Sequence, residues 1–300
     1  MRKIAGLAEI LNLRRGIADM TISYKYLRSA IGQMRTEILH GICRPRPILF
    51  DHLPKCAGTT VHRYLLKQYP NRVTFWVDPR NVKQSTEAFR CMSEQARSRF
   101  RLVGGHNANR LSDCVHEDAV RLTILREPVD RIVSHYCFVI RDTKNYLRDR
   151  VVRNNISLEN SVRLDLSSEL RNWYTIHFTA LSIKEVESDP TTAVQRAAEI
   201  VLRRYDVIGF QDDLPAAMRA LREVARLYRK FENVVANEGE RRAGGVSDEA
   251  RRVIAEANWL DVQPYALMRK RLEVAAVPEE GSNNREVGGL RGEHRSAGTG

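Results

Sequence analysis

The stretch FDHLPKCAGTTVHRYLLKQYP, Phe50 to Pro70, decides the fold of this 300-residue chain. Residues 48–50 form an apolar run that predicts a short buried strand, and residues 60–69 place apolar side chains at helical spacing. A proline, a lysine, a glycine and two threonines lie between them and predict a tight turn. The N–H groups and the dipole at the start of such a helix favour a bound phosphate or sulfate.

Each polar residue of this turn has a predicted role. Lys55 supplies a positive charge, Gly58 lets the backbone approach an anion, and Thr59 and Thr60 add hydroxyl donors. The pattern is not a Walker A loop, because there the lysine follows the second glycine. The alternative interpretation is an ordinary helix start, with Thr59 or Thr60 as the N-cap residue.

The composition excludes some classes of protein. The chain has 43% apolar and 29% charged residues and no run of eighteen apolar residues, so we expect no transmembrane helix. The five cysteines show no metal-ligand or redox spacing and predict reduced thiols. With 49 Lys and Arg against 37 Asp and Glu, the net charge of +12 suits an anionic ligand, nucleic acid or an anionic membrane surface.

Strand and helix patterns alternate along the chain. Further strands are predicted at 72–77, 101–106, 120–125 and 205–210, and further helices at 85–100, 128–142 and 214–231. This alternation predicts an α/β fold, a P-loop-like parallel sheet with helices on both faces, plus helical N-terminal and lid segments.

Composition also suggests how the chain is divided. Residues 1–46 predict an N-terminal helical segment and linker, and residues 47–277 the main domain. Within that domain, the polar and mostly helical stretch 143–200 predicts a lid or substrate-side subdomain. Residues 278–300 are rich in Gly, Ser, Asn and charge and predict a disordered tail.

A second group of residues occurs in TILREPVDRIVSHY, residues 123–136. Arg126 follows a predicted strand, and Pro128 suits the first position of a helix. Ser134 lies roughly 9 Å further along that helix, at ~1.5 Å per residue. An arginine reaching forward from the strand end can meet this serine at one phosphate group. The alternative is a surface pair of Arg126 with Glu127 or Asp130.

Together, HLPKCAGTT (52–60) and LREPVDRIVSHY (125–136) resemble the two donor-binding motifs of sulfotransferases that use 3′-phosphoadenosine-5′-phosphosulfate (PAPS). The nearest likeness is to the carbohydrate branch, with heparan sulfate uronosyl 2-O-sulfotransferase and its bacterial relatives, and it covers about residues 47–272. The resemblance implies that the first motif grips the 5′-phosphosulfate and the second, through Arg126 and Ser134, the 3′-phosphate. The implied donor contacts of the first motif are Lys55, Cys56, Ala57, Gly58, Thr59 and Thr60.

The implied reaction is sulfuryl transfer from PAPS to a hydroxyl of a glycan or glycolipid, leaving PAP and needing no metal. Lys55 is expected to stabilise the negative charge on the leaving phosphate oxygen. His106, at a predicted strand end, matches the family's catalytic histidine and is the predicted base. His52 is the alternative base. His135 is a weaker candidate, because it lies beside Ser134 on a helix and faces in a different direction.

Two other functions compete with this one. A small-molecule kinase would use the same phosphate turn, but it would need a Walker A lysine and a magnesium carboxylate. A non-catalytic nucleotide- or nucleic-acid-binding module fits the charge, but the chain has no motif of a known nucleic-acid reader. We expect a cytoplasmic enzyme like the bacterial relatives, with no specific nucleic-acid partner. The N-terminal helix is a candidate for contact with a membrane surface or a partner subunit, and the sequence does not define an oligomeric state.

Overall fold

The computed structural model describes residues 29–232 and 246–276. Its centre is a parallel five-stranded sheet in the order β2-β3-β1-β4-β5. The strands are β1 (Ile48–Asp51), β2 (Thr74–Trp76), β3 (Leu102–Gly105), β4 (Val120–Leu125) and β5 (Val207–Phe210). The predicted α/β fold with a parallel sheet is confirmed.

Helices connect and cover these strands. They are α1 (29–43), α2 (Gly58–Leu65), α3 (Val82–Cys91), α4 (Glu94–Arg97), α5 (Pro128–Arg141), α6 (Arg148–Arg153), α7 (Leu158–Arg163), α8 (Trp173–Thr179), α9 (Ile183–Ser188), α10 (Pro190–Arg204), α11 (Leu214–Val224), α12 (Asp248–Ala257) and α13 (Trp259–Ala276).

The order of the strands places the site. The connection from β1 leads to β2 on one side of the sheet, whereas β4 leads to β5 on the other side. In register, Ile48 of β1 lies beside Leu102 of β3 and Val120 of β4. The order in which strands are added to the sheet therefore reverses between the parallel neighbours β1 and β4, and in open α/β sheets ligands bind at the carboxyl ends of the strands at such a switch point.

Alternate residues of the strands point to opposite faces of the sheet and pack in two separate hydrophobic cores. On one face, Phe50 and Leu122 pack in the same buried cluster as Leu65 of α2 and Met218 of α11. On the other face, Leu49 packs with residues of α3 and with the chain after β3. Helices α8, α10 and α13 cover the rest of that second face. Both faces of the sheet are buried, as parallel strands require.

Several predicted boundaries were wrong. The helix predicted at 85–100 is two helices, because the Ser93 side chain accepts a hydrogen bond from the Ala96 N–H and starts α4. The helix predicted at 214–231 ends at Val224, close to Arg226 with its φ of 55°. The strand predicted at 72–77 covers only Thr74–Trp76 and follows a 3-10 turn.

The stretch 143–200 is helical, as predicted, and contains α6–α10. Helices α5, α6, α7 and α12 share a separate hydrophobic core beside the sheet. The role of this layer as a lid stays a prediction, as do the domain boundaries at 46/47 and 277/278. Residues 1–28 and 278–300, with the predicted tail, lie outside the described residues.

Candidate active site

The turn between β1 and α2 has an unusual backbone. Lys55 and Ala57 both have positive φ, 65° and 58°, which costs a residue with a side chain about 1–2 kcal/mol. Ala57 occupies the N-cap position of α2, and within the described chain no side chain caps this helix. The alternative of a threonine N-cap at Thr59 or Thr60 is therefore wrong. The Thr60 and Val61 N–H groups donate to the Ala57 carbonyl at 3.0 and 3.2 Å, which leaves the N–H groups of Gly58 and Thr59, among the described residues at this helix start, for an anion.

These N–H groups open onto a cavity of about 780 Å³. Four successive residues of the turn and helix, 57–60, line it, together with Lys55 and Arg126. The volume is within the usual range for small-molecule sites. The cavity walls also come from the chain after β3, from α5, from Trp173 of α8 and from residues 211–215 after β5.

The ring of His52 covers Gly58. A Cβ built on Gly58 would lie 1.7 Å from Nε2 of His52, so only glycine leaves room for this ring. The His52 ring stacks on Phe50 and on His106, with ring centroids 5.6 and 4.5 Å away. Gly58 also lines the cavity, so its predicted approach to an anion stays a prediction, and the structure adds that its missing Cβ makes room for a neighbouring imidazole. Burial, with the nearby His106, lowers the pKa of His52 to about 3, so it is neutral at pH 7.

His106 follows β3 and lines the same cavity. Its Nδ1 lies 2.8 Å from the backbone carbonyl oxygen of His52. A carbonyl can only accept, so Nδ1 carries the proton and donates it. In the neutral ring the lone pair is then on Nε2. This hydrogen bond fixes His106 in the tautomer that a general base needs.

Arg126, at the end of β4, contributes a second positive charge to the cavity. Its Nη1 donates to the carbonyl oxygen of Lys55 at 3.3 Å, which ties the two motifs together. Lys55 Nζ lies 4.4 Å from the centre of the Phe138 ring on α5. The structure thus brings Lys55 and Arg126, predicted from separate motifs, into one place.

Two predicted donor contacts lie elsewhere. Ser134 is 3% exposed on α5 and is not among the cavity-lining residues of the described chain. The Cys56 side chain is buried and points at the Tyr174 hydroxyl, with Sγ and Oη 3.1 Å apart. The roles of Ser134 and of the Cys56 backbone in donor binding stay predictions.

His135 lies at the cavity, whereas the sequence made it a weak candidate. Its Nδ1 is 3.2 Å from Oε2 of Glu169, which also lines the cavity. Burial lowers the pKa of His135 to about 4, and the charges of Arg131 and Lys55 lower it further in the same direction. The sequence correctly indicated that Ser134 and His135 face different ways, but it is the histidine that faces the cavity.

Tyr174 joins the two motifs, and nothing in the sequence pointed to it. Its hydroxyl accepts from the Arg126 N–H at 3.1 Å and donates to the Arg126 carbonyl at 3.0 Å. The same oxygen contacts Cys56, so one fully buried group holds both turns. Burial raises the pKa of Tyr174 well above its usual value and keeps the hydroxyl protonated. These contacts span 48 and 118 residues, and no local pattern signals them.

Asp51, at the end of β1, is completely buried beneath the turn. Its Oδ2 accepts from His177 Nε2 at 2.8 Å and from the Tyr205 hydroxyl at 2.7 Å. The interaction with His177 and both hydrogen bonds lower the pKa of Asp51, although burial alone would raise it. This network attaches α8 and the end of α10 to β1.

Comparison with known families decides what these two motifs belong to. A sequence profile of the sulfotransferase family matches residues 42–256, which is more than two thirds of the chain. The chain belongs to the sulfotransferase family. No curated protein sequence gave a match.

The matched region of this sulfotransferase contains all five strands, the turn after β1 and the Arg126 motif. In residues 29–232 and 246–276, no group of three or more His, Cys, Asp or Glu side chains is arranged to hold a metal ion. No helix in those ranges is long and apolar enough to cross a membrane.

Proposed function

We propose that this sulfotransferase moves a sulfuryl group from PAPS to a hydroxyl of a glycan or glycolipid, with His106 as the base. The observation that carries the proposal is the hydrogen bond made by His106. Its Nδ1–H donates to the His52 carbonyl, so the lone pair of the neutral ring is on Nε2. The ring lines the cavity. A positioned neutral imidazole suits removal of a proton from an acceptor hydroxyl.

Donor binding is supported by the charges and the open helix end at this cavity. PAPS carries a phosphosulfate and a 3′-phosphate, and two cations, Lys55 and Arg126, line the cavity beside the uncapped N-terminus of α2. Guanidinium and N–H donors form strong, charge-assisted bonds to such oxygens. The residues present therefore fit the donor, with the turn at its 5′ side and Arg126 at its 3′ side as the family motifs imply.

The reaction then needs two contributions from the chain, removal of the acceptor proton and stabilisation of the charge on the leaving group. The acceptor oxygen bonds to sulfur while the bond from sulfur to the phosphate oxygen breaks, and the acceptor proton passes to Nε2 of His106. Charge that develops on the departing phosphate oxygen is met by Lys55 and the N–H groups of α2. His52 is a poor base at pH 7 because its pKa of about 3 gives it little affinity for a proton.

The polar and aromatic residues at the rim of the cavity support a sugar as the acceptor. Asn145, Glu169 and Asp212 offer amide and carboxylate groups to hydroxyls. Tyr146, 76% exposed, and Trp173 provide flat apolar faces beside them. Hydrogen-bonding groups next to aromatic faces suit a sugar, which has both hydroxyls and apolar ring faces.

Two experiments test the proposal. Calorimetry should show that PAP binds more tightly than ATP and that duplex DNA does not compete. Incubation with PAPS and a panel of glycans and glycolipids should add one sulfuryl group to an acceptor, detected by mass spectrometry. Preference for ATP with phosphate transfer would overturn the proposal in favour of a kinase, and tight DNA binding without PAP binding would favour a nucleic-acid-binding module.

A further inference from the structure

Helix α1 leaves one apolar face in solvent. Ile31, Met34 and Ile38 are 59%, 66% and 56% exposed, although they follow one another at spacings of three and four residues. These spacings place them on one side of a helix. Soluble proteins rarely expose such a stripe unless it meets a partner.

A different side of α1 attaches it to the sulfotransferase domain. Thr36 is buried, Glu37 pairs with Arg72 at 2.7 Å, and the His40 ring meets the Tyr69 ring edge-on at 5.5 Å. Thr36 and His40 point about 150–170° away from the centre of the apolar stripe, at ~100° per residue. The domain therefore anchors the helix and leaves the stripe uncovered.

The sequence shows that this stripe is the end of a longer repeat. With Ile31 and Ile38 at heptad position a and Met34 at d, every a and d position back to residue 10 is apolar or aromatic. These positions are Ile10, Leu13, Ile17, Met20, Tyr24 and Leu27. Such a 3.5-residue repeat sustained over four heptads is typical of a coiled coil. The repeat ends at Gly41, before Pro45 and Pro47.

The residue types select the number and direction of the helices. Isoleucine occupies four of the five a positions, and leucine or methionine occupies the d positions. β-Branched a residues with leucine-type d residues favour two parallel strands. Arg14, Arg28 and Arg35 are at position e. In a parallel pair e faces position g, which holds small residues such as Ser23 and Ala30, whereas in an antiparallel pair the arginines would face one another.

We propose that α1 pairs through this stripe with α1 of a second copy of this chain, as a parallel two-stranded coiled coil. The alternative occupant of an exposed amphipathic face is a membrane surface. A coiled coil is favoured because every a and d position from residue 10 to residue 38 is apolar or aromatic, with a period of 3.5 residues; Ile42, 73% exposed at position e, extends the same stripe. The inference does not depend on the donor or the acceptor.

Sedimentation and light scattering of the full chain test the proposal. We expect twice the chain mass of 34.4 kDa. The double variant Ile31→Asp/Ile38→Asp should have the mass of one chain, because buried carboxylates oppose pairing. The control Ser29→Asp/Gln33→Asp adds the same charge at exposed positions outside the seam and should remain a dimer. A wild-type monomer, a trimer, or a seam variant that stays dimeric would overturn the proposal.

Cross-linking tests the direction of the helices. In a background with the exposed thiols removed (Cys43→Ser/Cys91→Ser), Met34→Cys should oxidise to a disulfide-linked dimer, because d positions face each other in a parallel pair. Gln33→Cys should not. Equal cross-linking of both variants would overturn the parallel arrangement.

Vesicles of phosphatidylcholine and phosphatidylglycerol test the membrane alternative. The dimer should stay in the soluble fraction during flotation. Flotation of a monomeric wild type, lost in Ile31→Asp/Ile38→Asp, would overturn the dimer and assign the face to lipid.

Discussion

At the scale of single residues, replacing His106 should impair proton transfer and leave donor binding intact. We expect His106→Ala to lower turnover by roughly 10²–10⁴-fold, the usual worth of a positioned general base. PAP affinity should hardly change, because Lys55 and Arg126 remain.

The control for His106 is His116→Ala, since His116 is bonded to the Ser98 carbonyl and does not line the cavity. Steady-state rates and calorimetry on folded variants give both quantities. If His106→Ala is active and His52→Ala is not, the base is misassigned. If both are active, the proposed base mechanism is wrong although donor binding can stand.

The two cations should each matter for PAP binding. Lys55→Ala and Arg126→Ala each remove a charge-assisted contact worth ~1.5–3 kcal/mol. Arg126→Ala should have the larger effect, because its guanidinium also holds the Lys55 carbonyl. Calorimetry is the measurement, and Arg63→Ala and Lys67→Ala, exposed on or just after α2, are the controls. Wild-type affinity in both cavity variants would contradict the assignment of the site.

The free energy of unfolding should fall at acid pH, because the pKa values of His52 and His135 are lowered in the folded chain. Their pKa values are lowered to about 3 and about 4, whereas an unfolded histidine titrates near ~6.5. Below pH 6.5 the unfolded chain therefore binds more protons, and each histidine removes up to ~1.4 kcal/mol of unfolding free energy per pH unit. Urea unfolding at pH 7.5 and 5 should show this loss, and His52→Gln/His135→Gln should reduce the slope. An unchanged slope in the double variant would show that other groups control it.

At the scale of elements, α8 holds the turn after β1 against the end of β4. Tyr174→Phe removes one hydroxyl and leaves the buried Arg126 N–H without that acceptor, at a cost of ~1–3 kcal/mol in stability. We expect PAP affinity to fall as well, because both of the turns that we propose to bind the donor lose their common support. Calorimetry and urea unfolding measure the two effects.

Tyr136→Phe is the matched control, because its hydroxyl donates to the Ile156 carbonyl outside the cavity. It should lose stability without losing PAP affinity. If Tyr174→Phe and Tyr136→Phe behave alike, Tyr174 is structural and does not position the site.

At the scale of the whole molecule, PAP should stabilise the fold without a metal. A ligand that binds only the folded chain adds ~2.7 kcal/mol at 100 times its Kd. Because the cavity's own cations meet the donor's charge, we expect the rise in Tm and the turnover to persist in EDTA. Thermal unfolding and rate assays with and without EDTA are the measurements. Loss of activity restored by magnesium would favour a kinase.

The sequence predicted the sheet because its strands are apolar runs bounded by turn residues, a local signal. The turn after β1 and the position of Arg126 at a strand end were predictable for the same reason, because both follow directly from where a strand stops. The contact of Tyr174 with Cys56 depends on tertiary packing over 118 residues, and no periodicity carries it. His135 was undervalued because helical spacing gives relative directions but does not say which side of α5 meets the cavity.

The close fit of the His52 ring over Gly58 has a consequence for how this turn can change. Alanine at position 58 would collide with Nε2 at 1.7 Å, so it should be harmful while His52 is present. A smaller residue at 52 would remove the collision, but it would also leave Gly58 facing an empty space. The two positions are therefore epistatic, and the effect of a substitution at one depends on the residue at the other. Libraries that vary 52 and 58 together should recover folded pairs that neither single-site library contains.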